Sequence, residues 1–281
     1  MSLFKIHANT SALNALNSLY RSNSEISVAQ SRLASGKRIN TAKDDTAGYA
    51  ISRSLESRSL GLRAALSNVQ NAKSILAIGE GGYQAQMDVL MTIKNKTVQS
   101  ADSSLNDDQR TAIRNQVKEL LDELDDIAVQ AKWNGDNIFG STFTFHVGSD
   151  EDDNLAIALS DSSSEAIGGT TDLSSMGTTG DVYSLEDTVK SNLAIGAVDD
   201  AITALANVIQ GIGDTIIRLG LKSDALSITA KNTEATLSDF EDADMAHEQI
   251  QFLKHQIVQQ TGISALSQAN SAPQIVLSLF R

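Results

Sequence analysis

Residues 113–131 read IRNQVKELLDELDDIAVQA, and their spacing decides the fold. Ile113, Val117, Leu120, Leu124, Ile127 and Ala131 follow in steps of four, three, four, three and four. Such alternation puts side chains on one face of an α-helix. Between them sit Arg114, Lys118, Glu119, Asp122, Glu123, Asp125 and Asp126, a solvated face. Asn106 followed by Gln109 has the form of a capping box. The spacing predicts a helix from about 106 to 132.

The same periodicity extends in both directions. Ile51, Leu55, Leu62, Ala65, Val69, Ala72 and Leu76 form a second stripe, broken at Arg58. Tyr83, Met87 and Leu90 continue it towards Val98. Gly79-Glu80-Gly81-Gly82 interrupts this run, and each glycine costs a helix about 1 kcal/mol, so a kink or weakened turn is expected there. Ala101 to Leu105 reads as the turn into the next helix. A third stripe runs Val198, Ile202, Leu205, Ile209, Ile212, Ile216, Leu219, and resumes with Leu226, Ala230, Leu237 and Phe240. At 1.5 Å per residue these helices reach roughly 40 Å or more. Long helices with one apolar stripe do not stand alone in water and must pair.

The chain ends differ from this. Ala12, Leu16, Leu19, Asn23, Ile26, Gln30 and Leu33 keep heptad spacing, but the stripe is thin. The last segment carries Ile250, Leu253, Ile257, Leu266, Ile275, Val276, Leu277, Leu279 and Phe280. A weak stripe often marks a helix that completes its packing in an oligomer. Assembly contacts are therefore expected at Leu16, Leu19, Ile26, Leu33, Ile250, Leu253, Ile257, Leu266, Leu277 and Leu279. The middle breaks the helical pattern. Residues 142–147 and 154–159 alternate with period two around an acidic turn, Asp150 to Asp153, and read as a β-hairpin. Residues 160–181, rich in Ser, Thr and Gly, read as an exposed loop. The fold class is mainly α: long antiparallel helices forming a terminal coiled coil, plus a helical bundle with a β-hairpin.

Composition agrees. Among 281 residues there is one proline, Pro273, and aromatics make up 4 %. Helix interiors exclude proline, and thin bundles need few aromatics. A net charge of −13 argues against nucleic acid and against an anionic membrane surface. There is no cysteine, hence no disulfide and no thiolate metal site. No run of 18 apolar residues is present, and Met1 to Tyr20 lacks the solid apolar stretch of a cleaved signal peptide.

No constellation predicts catalysis. His247-Glu248 opens like a zinc-protease motif, but Gln251 stands where the second histidine is required. The acidic run at 150–153 lacks the spacing, glycine and terminal glutamate of a calcium loop. Gly211-Ile212-Gly213 has Ile216 in place of a third glycine, and these glycines are expected to allow close helix contact. No cofactor is expected.

Three stretches resemble bacterial flagellin. Leu33-Ala34-Ser35-Gly36-Lys37-Arg38-Ile39-Asn40-Thr41-Ala42-Lys43-Asp44-Asp45-Thr46-Ala47-Gly48 is similar to the family's N-terminal signature. Phe240 to Ala246, and Gln259 to Gly262 with Gln268 to Leu279, resemble its C-terminal region. Trp133-Asn134-Gly135 sits where the family has an aromatic-Asn-Gly turn. The resemblance implies a structural subunit, not an enzyme, that self-assembles into the flagellar filament. It implies an inner coiled-coil domain from 1–44 and 240–281, and an outer helical domain, 45–239, bearing the hairpin at about 140–160. It also implies type III export in place of a signal peptide and an extracellular location. The partners would be copies of the chain itself, an export chaperone on about 240–281, and hook-associated junction and cap proteins. Flagellins sensed by the animal Toll-like receptor carry Arg, Glu and Leu where Thr92, Asn95 and Lys96 stand here. Loss of those charge-assisted contacts implies weak or absent activation. The rival reading is a hook–filament junction protein, which shares the terminal pattern, but the signature at 33–48 favours flagellin.

Overall fold

The predicted capping box is present at Asn106: its side chain accepts from Gln109 N at 2.8 Å, and Gln109 Oε1 accepts from Asn106 N at 3.1 Å. It starts helix α3, Asp107–Gln130. The computed structural model describes residues 9–167 and 173–279, with side chains to Ser271. Around α3 the chain order is α1 (Thr10–Ser35), α2 (Thr46–Ser100), α3, β1 (Lys132–Trp133), β2 (Asp136–Asn137), β3 (Thr142–His146), β4 (Asn154–Ala158), a 3-10 turn (Leu173–Gly177), α4 (Thr188–Glu241) and α5 (Met245–Leu279). The fold is mainly α, with two small antiparallel strand pairs among the described residues. Pro273 lies inside α5, so the single proline ends no helix.

Contacts divide the chain into two compact units. One comprises the chain up to Ser59 together with Lys231 onward, and the other is Leu60–Ala230. The second unit holds the apolar core, built on Leu62, Val69 and Leu76 of α2, Val117, Leu121 and Leu124 of α3, and Val198, Leu205 and Leu219 of α4. The α3 stripe is not quite the one the spacing selected. Leu121 and Ala128 are buried, whereas Leu120 and Ile127 lie half-buried beside them. A straight helix has 3.6 residues per turn, so a strict heptad drifts off its face. The α2 stripe fails at its start for a related reason. Ser52 and Ser59 are buried, while Ile51 is exposed and Leu55 half-exposed. From Leu62 to Leu90 the expected positions face the core, with Met87 half-buried, and Val98 is exposed again.

The glycine cluster does not break α2, which runs unbroken for 55 residues. A Cβ at Gly82 would lie 2.7 Å from Phe139 Cζ, and one at Gly79 would lie 3.3 Å from Leu159 Cδ2. These glycines are slots that admit the segment flanking the hairpin. Buried Tyr83 closes the site, its ring centroid 4.3 Å from that of Phe139 and its hydroxyl donating to Ser160 O at 2.6 Å. Gly211 and Gly213 behave differently. A Cβ on either meets nothing within 4 Å, so they mediate no close helix contact here, contrary to the expectation from sequence.

The hairpin has the predicted strands, with Thr142 opposite Ala158 and His146 opposite Asn154. Before it, Asn134 (φ 53°) and Gly135 (φ 96°) form the two-residue turn between β1 and β2. Positive φ at both central positions is what a type I′ hairpin requires. The Ser/Thr/Gly-rich segment is not simply an exposed loop. Ser162, Ser164, Ile167, Leu173 and Met176 are buried. Asp125 anchors it, accepting from Ser164 N at 2.6 Å and Ser164 Oγ at 2.8 Å. A serine satisfied by hydrogen bonds, as Ser164 is, can be buried, a possibility that composition does not reveal.

The glycine slots make a signed prediction. Alanine normally stabilises a helix by about 1 kcal/mol over glycine. At exposed Gly81, where a Cβ meets nothing, Gly81→Ala should raise the thermal midpoint. One position on, Gly82→Ala should lower it, because Phe139 must shift. Equal shifts in calorimetry would refute the slot.

Candidate functional site

Helices α1 and α5 pair antiparallel. Asn9 Nδ2 donates to Ala269 O at 2.8 Å, Ser22 Oγ to His255 O at 2.9 Å, and Arg32 Nη1 lies 3.1 Å from Glu248 Oε1. The face that α5 turns to α1 carries Glu248, Phe252, His255, Gln259, Gly262, Leu266 and Ala269, in steps of four and three, all buried or half-buried. The facing side of α1 carries Ala12, Leu19, Ser22, Ile26, Ala29 and Leu33. In α1 only Ser22 and Ala29 are fully buried. The seam is heptad in spacing and short of large apolar side chains.

This arrangement splits the residues expected to mediate assembly. Leu16, Leu19, Ile26, Leu33 and Leu266 are half-buried. Ile250, Leu253 and Ile257 are 63, 47 and 62 % exposed, on the face of α5 away from the seam. Leu277 and Leu279 lie on the backbone of α5, their side chains outside the described residues. Thr92 and Asn95 are exposed and Lys96 half-buried, with Thr92 Oγ1 bonded to Asp88 O at 3.0 Å.

The sequence reading missed a second apolar face. On α4, Val189, Leu193, Ile217, Leu221 and Ile228 are all exposed. An 18-residue window of α4 has a mean hydropathy of 1.3 yet is only 28 % buried, and by length and composition α4 is apolar enough to cross a membrane. Apolar residues flanking the identified stripe were the available signal: Ile216-Ile217 and Leu219 to Leu221 supply more apolar side chains than one face accommodates.

Two connectors join the helices of this unit. Gly36 ends α1 in the left-handed region (φ 73°), its N–H bonded to Arg32 O. Beyond it, Arg38 N donates to Glu241 O at 2.6 Å and Ala243 N to Gly36 O at 2.9 Å, making a bridge between Lys37 and Asp242. Glu241, 3 % exposed, accepts from Lys37 Nζ at 2.8 Å and lies 3.4 Å from Arg53 Nη2. Asp45 starts α2 by accepting from Ala47 N and Gly48 N, and Asp244 starts α5 by accepting from Ala246 N and His247 N. Asp44 Oδ2 closes the turn, accepting from Thr41 N, Thr41 Oγ1 and Asn40 N.

A cavity of about 200 Å³ lies between α1 and α5, lined by Glu25, Val28, Ala29, Arg32, His247, Glu248, Gln251 and His255. Among the described residues no three His, Asp or Glu side chains gather as metal ligands. The cavity is polar and open, without a nucleophile set against a base.

The profile of the bacterial flagellin N-terminal helical region matches residues 6–144, and that of the C-terminal helical region matches 195–280. The 33 kDa flagellar filament core protein of Treponema phagedenis is 32 % identical, with 98 % of this chain and 99 % of that protein aligned. The flagellin of Listeria monocytogenes is 30 % identical over the same shares. A putative flagellar hook-associated protein from Vibrio parahaemolyticus has a similar fold at 15 % identity, with a TM-score of 0.58 over 71 % of this chain and all of that one.

The connector turn should respond to acid. The Thr41 amide, then the Thr41 hydroxyl and Asn40 amide, hold the Asp44 carboxyl below its ordinary 3.8. A depressed carboxyl stabilises the fold above its unfolded value, and the benefit is lost as pH falls through the folded one. The turn should therefore loosen only below pH 3.8. Asp44→Asn should abolish that step in an NMR titration of the Thr41 amide; an unchanged step would refute the assignment.

Proposed function

The chain belongs to the bacterial flagellin family, a family of structural proteins, and we infer on that premise how it works. It is a structural subunit of the bacterial flagellar filament, and copies of it assemble into the helical polymer. The observation that carries the assembly reading is the exposed row Ile250, Leu253 and Ile257, on a helix whose intrachain seam occupies the other face. Each large aliphatic side chain gains about 1.5–3 kcal/mol when covered. A second copy of the chain is the natural cover. Half-buried Leu16, Leu19, Ile26, Leu33 and Leu266 complete their burial in the polymer, and Leu277 and Leu279 extend the surface towards the C-terminus. Ile217, Leu221 and Ile228 of α4 supply a second strip.

On this reading residues 1–44 and 240–281 form the inner domain and 45–239 the outer one. The chain leaves the cell by type III export, escorted by a chaperone that covers about 240–281. It lies in the extracellular filament between the hook-associated junction and cap proteins. It carries out no catalysis. The hook–filament junction reading is less supported, since relatives aligned over nearly the whole chain are named filament core proteins.

Purified protein should form filaments visible by electron microscopy. Ile250→Asn and Ile257→Asn should shift single-chain stability by no more than about 0.5 kcal/mol, as exposed substitutions do. They should raise the concentration needed for polymerisation about tenfold. A fragment spanning 45–240 should fold, fail to polymerise and go unbound by the chaperone. Filaments from the fragment would overturn the assignment of the chain ends, and chaperone capture of it would overturn the escort site.

Thr92, Asn95 and Lys96 should make the chain a weak agonist of the Toll-like receptor. Reporter cells responding as strongly as to an enteric flagellin would contradict this.

A further inference from the structure

The seam between α1 and α5 has few fully buried side chains to hold its register. Phe252 and Leu266 of α5 and Leu19, Ile26 and Leu33 of α1 are only half-buried, and Ser22, Ala29, His255, Gln259 and Gly262 between them are small or polar. A slip of one heptad keeps the spacing of the seam and costs chiefly the seating of Leu19 against Gly262. Coiled coils take their register from single polar residues that do not recur along the seam. Most polar contacts here do not qualify. Asn9 and Ser22 donate to backbone carbonyls, which recur at every position. The contact of Gln259 with Asn23 is exposed to water.

The connector end is different. A heptad slip would carry Lys37 about 10 Å along the axis. It would break the bridge to Asp242, part Lys37 from Glu241, and part Arg32 from Glu248. Glu241 is buried, and a buried carboxylate stripped of its cation is strongly disfavoured. We propose that Glu241 is a positioning residue: with Lys37 and Arg53 it sets the register of α1 against α5. Its action is specific because neither helix repeats this cluster. It also fixes which α1 side chains flank Ile250, Leu253 and Ile257, so every subunit offers the same outer surface. That last consequence rests on the assembly reading; the register itself does not.

The chain has no cysteine, so engineered pairs report register directly. A Cβ at Gly262 lies 3.6 Å from Leu19 Cδ1, so Leu19→Cys with Gly262→Cys reads the native register. Leu19→Cys with Ala269→Cys reads a slip of one heptad. Full-length protein is oxidised below its polymerising concentration, so cross-links form within one chain whether or not it builds filaments. Otherwise unaltered, the chain should close the first pair and not the second. Glu241→Gln and, separately, Lys37→Gln should each lower the ratio of native to slipped cross-link about tenfold, as loss of a charge-assisted contact implies. An unchanged ratio in both variants overturns the proposal. General unfolding would reduce both cross-links together and leave the ratio unchanged, which also counts against it.

Discussion

A helix of fifty residues cannot keep one apolar stripe in water, and this requirement organises the molecule. In unit 60–230 the stripes of α2, α3 and α4 meet one another, with the hairpin and the turn at 173–177 packed in, and the core closes within one chain. In the unit of the chain ends, α1 and α5 pair chiefly with each other. A pair of helices covers one face of each and leaves the rest to solvent. The apolar rows on α5 follow from that geometry: the exposed side chains are what two helices alone cannot cover.

Polar groups divide the labour in a matching way. Within 60–230 they pin segments to a finished core, as Asp125 does for Ser164 and as Gln86 Nε2 does for the carbonyls of Leu124 and Ser162. At the chain ends they manage helix termini. Asn9, Asp45 and Asp244 satisfy first-turn amides, and Gly36 supplies the left-handed stop. Electrostatics here specifies where helices begin, end and align, and apolar burial supplies the cohesion.

The long helices, the capping box at Asn106 and the hairpin were legible in the sequence because each is a local pattern, while the Trp133-Asn134-Gly135 turn came from the family resemblance. What misled were features whose meaning depends on a distant partner. Gly79 and Gly82 read as a kink or weakened turn, and Leu159 and Phe139 packed against them give these glycines another role. Ser52 and Ser59 displaced Ile51 from the buried face, which no hydrophobicity pattern announces. At the candidate site, periodicity located the terminal helices but could not say which side faced inward. On α5 the inner seam proved the more polar, with Glu248, His255 and Gln259, and the outer row the more apolar. Glu241 went unseen because a carboxylate signals burial only once Lys37 and Arg53 converge on it.

The pairing of Asn9 with Ala269 spans 260 positions of the chain. Closing so long a loop early costs entropy, whereas contacts within α2, α3 and the hairpin are comparatively local. Folding of 60–230 would shorten that loop, so the terminal pair is expected to form last. During synthesis α1 is finished while its partner is still more than two hundred residues away, and it must wait unpaired. The topology thus sets an order: the chain ends pair only after the part of the chain whose contacts are local.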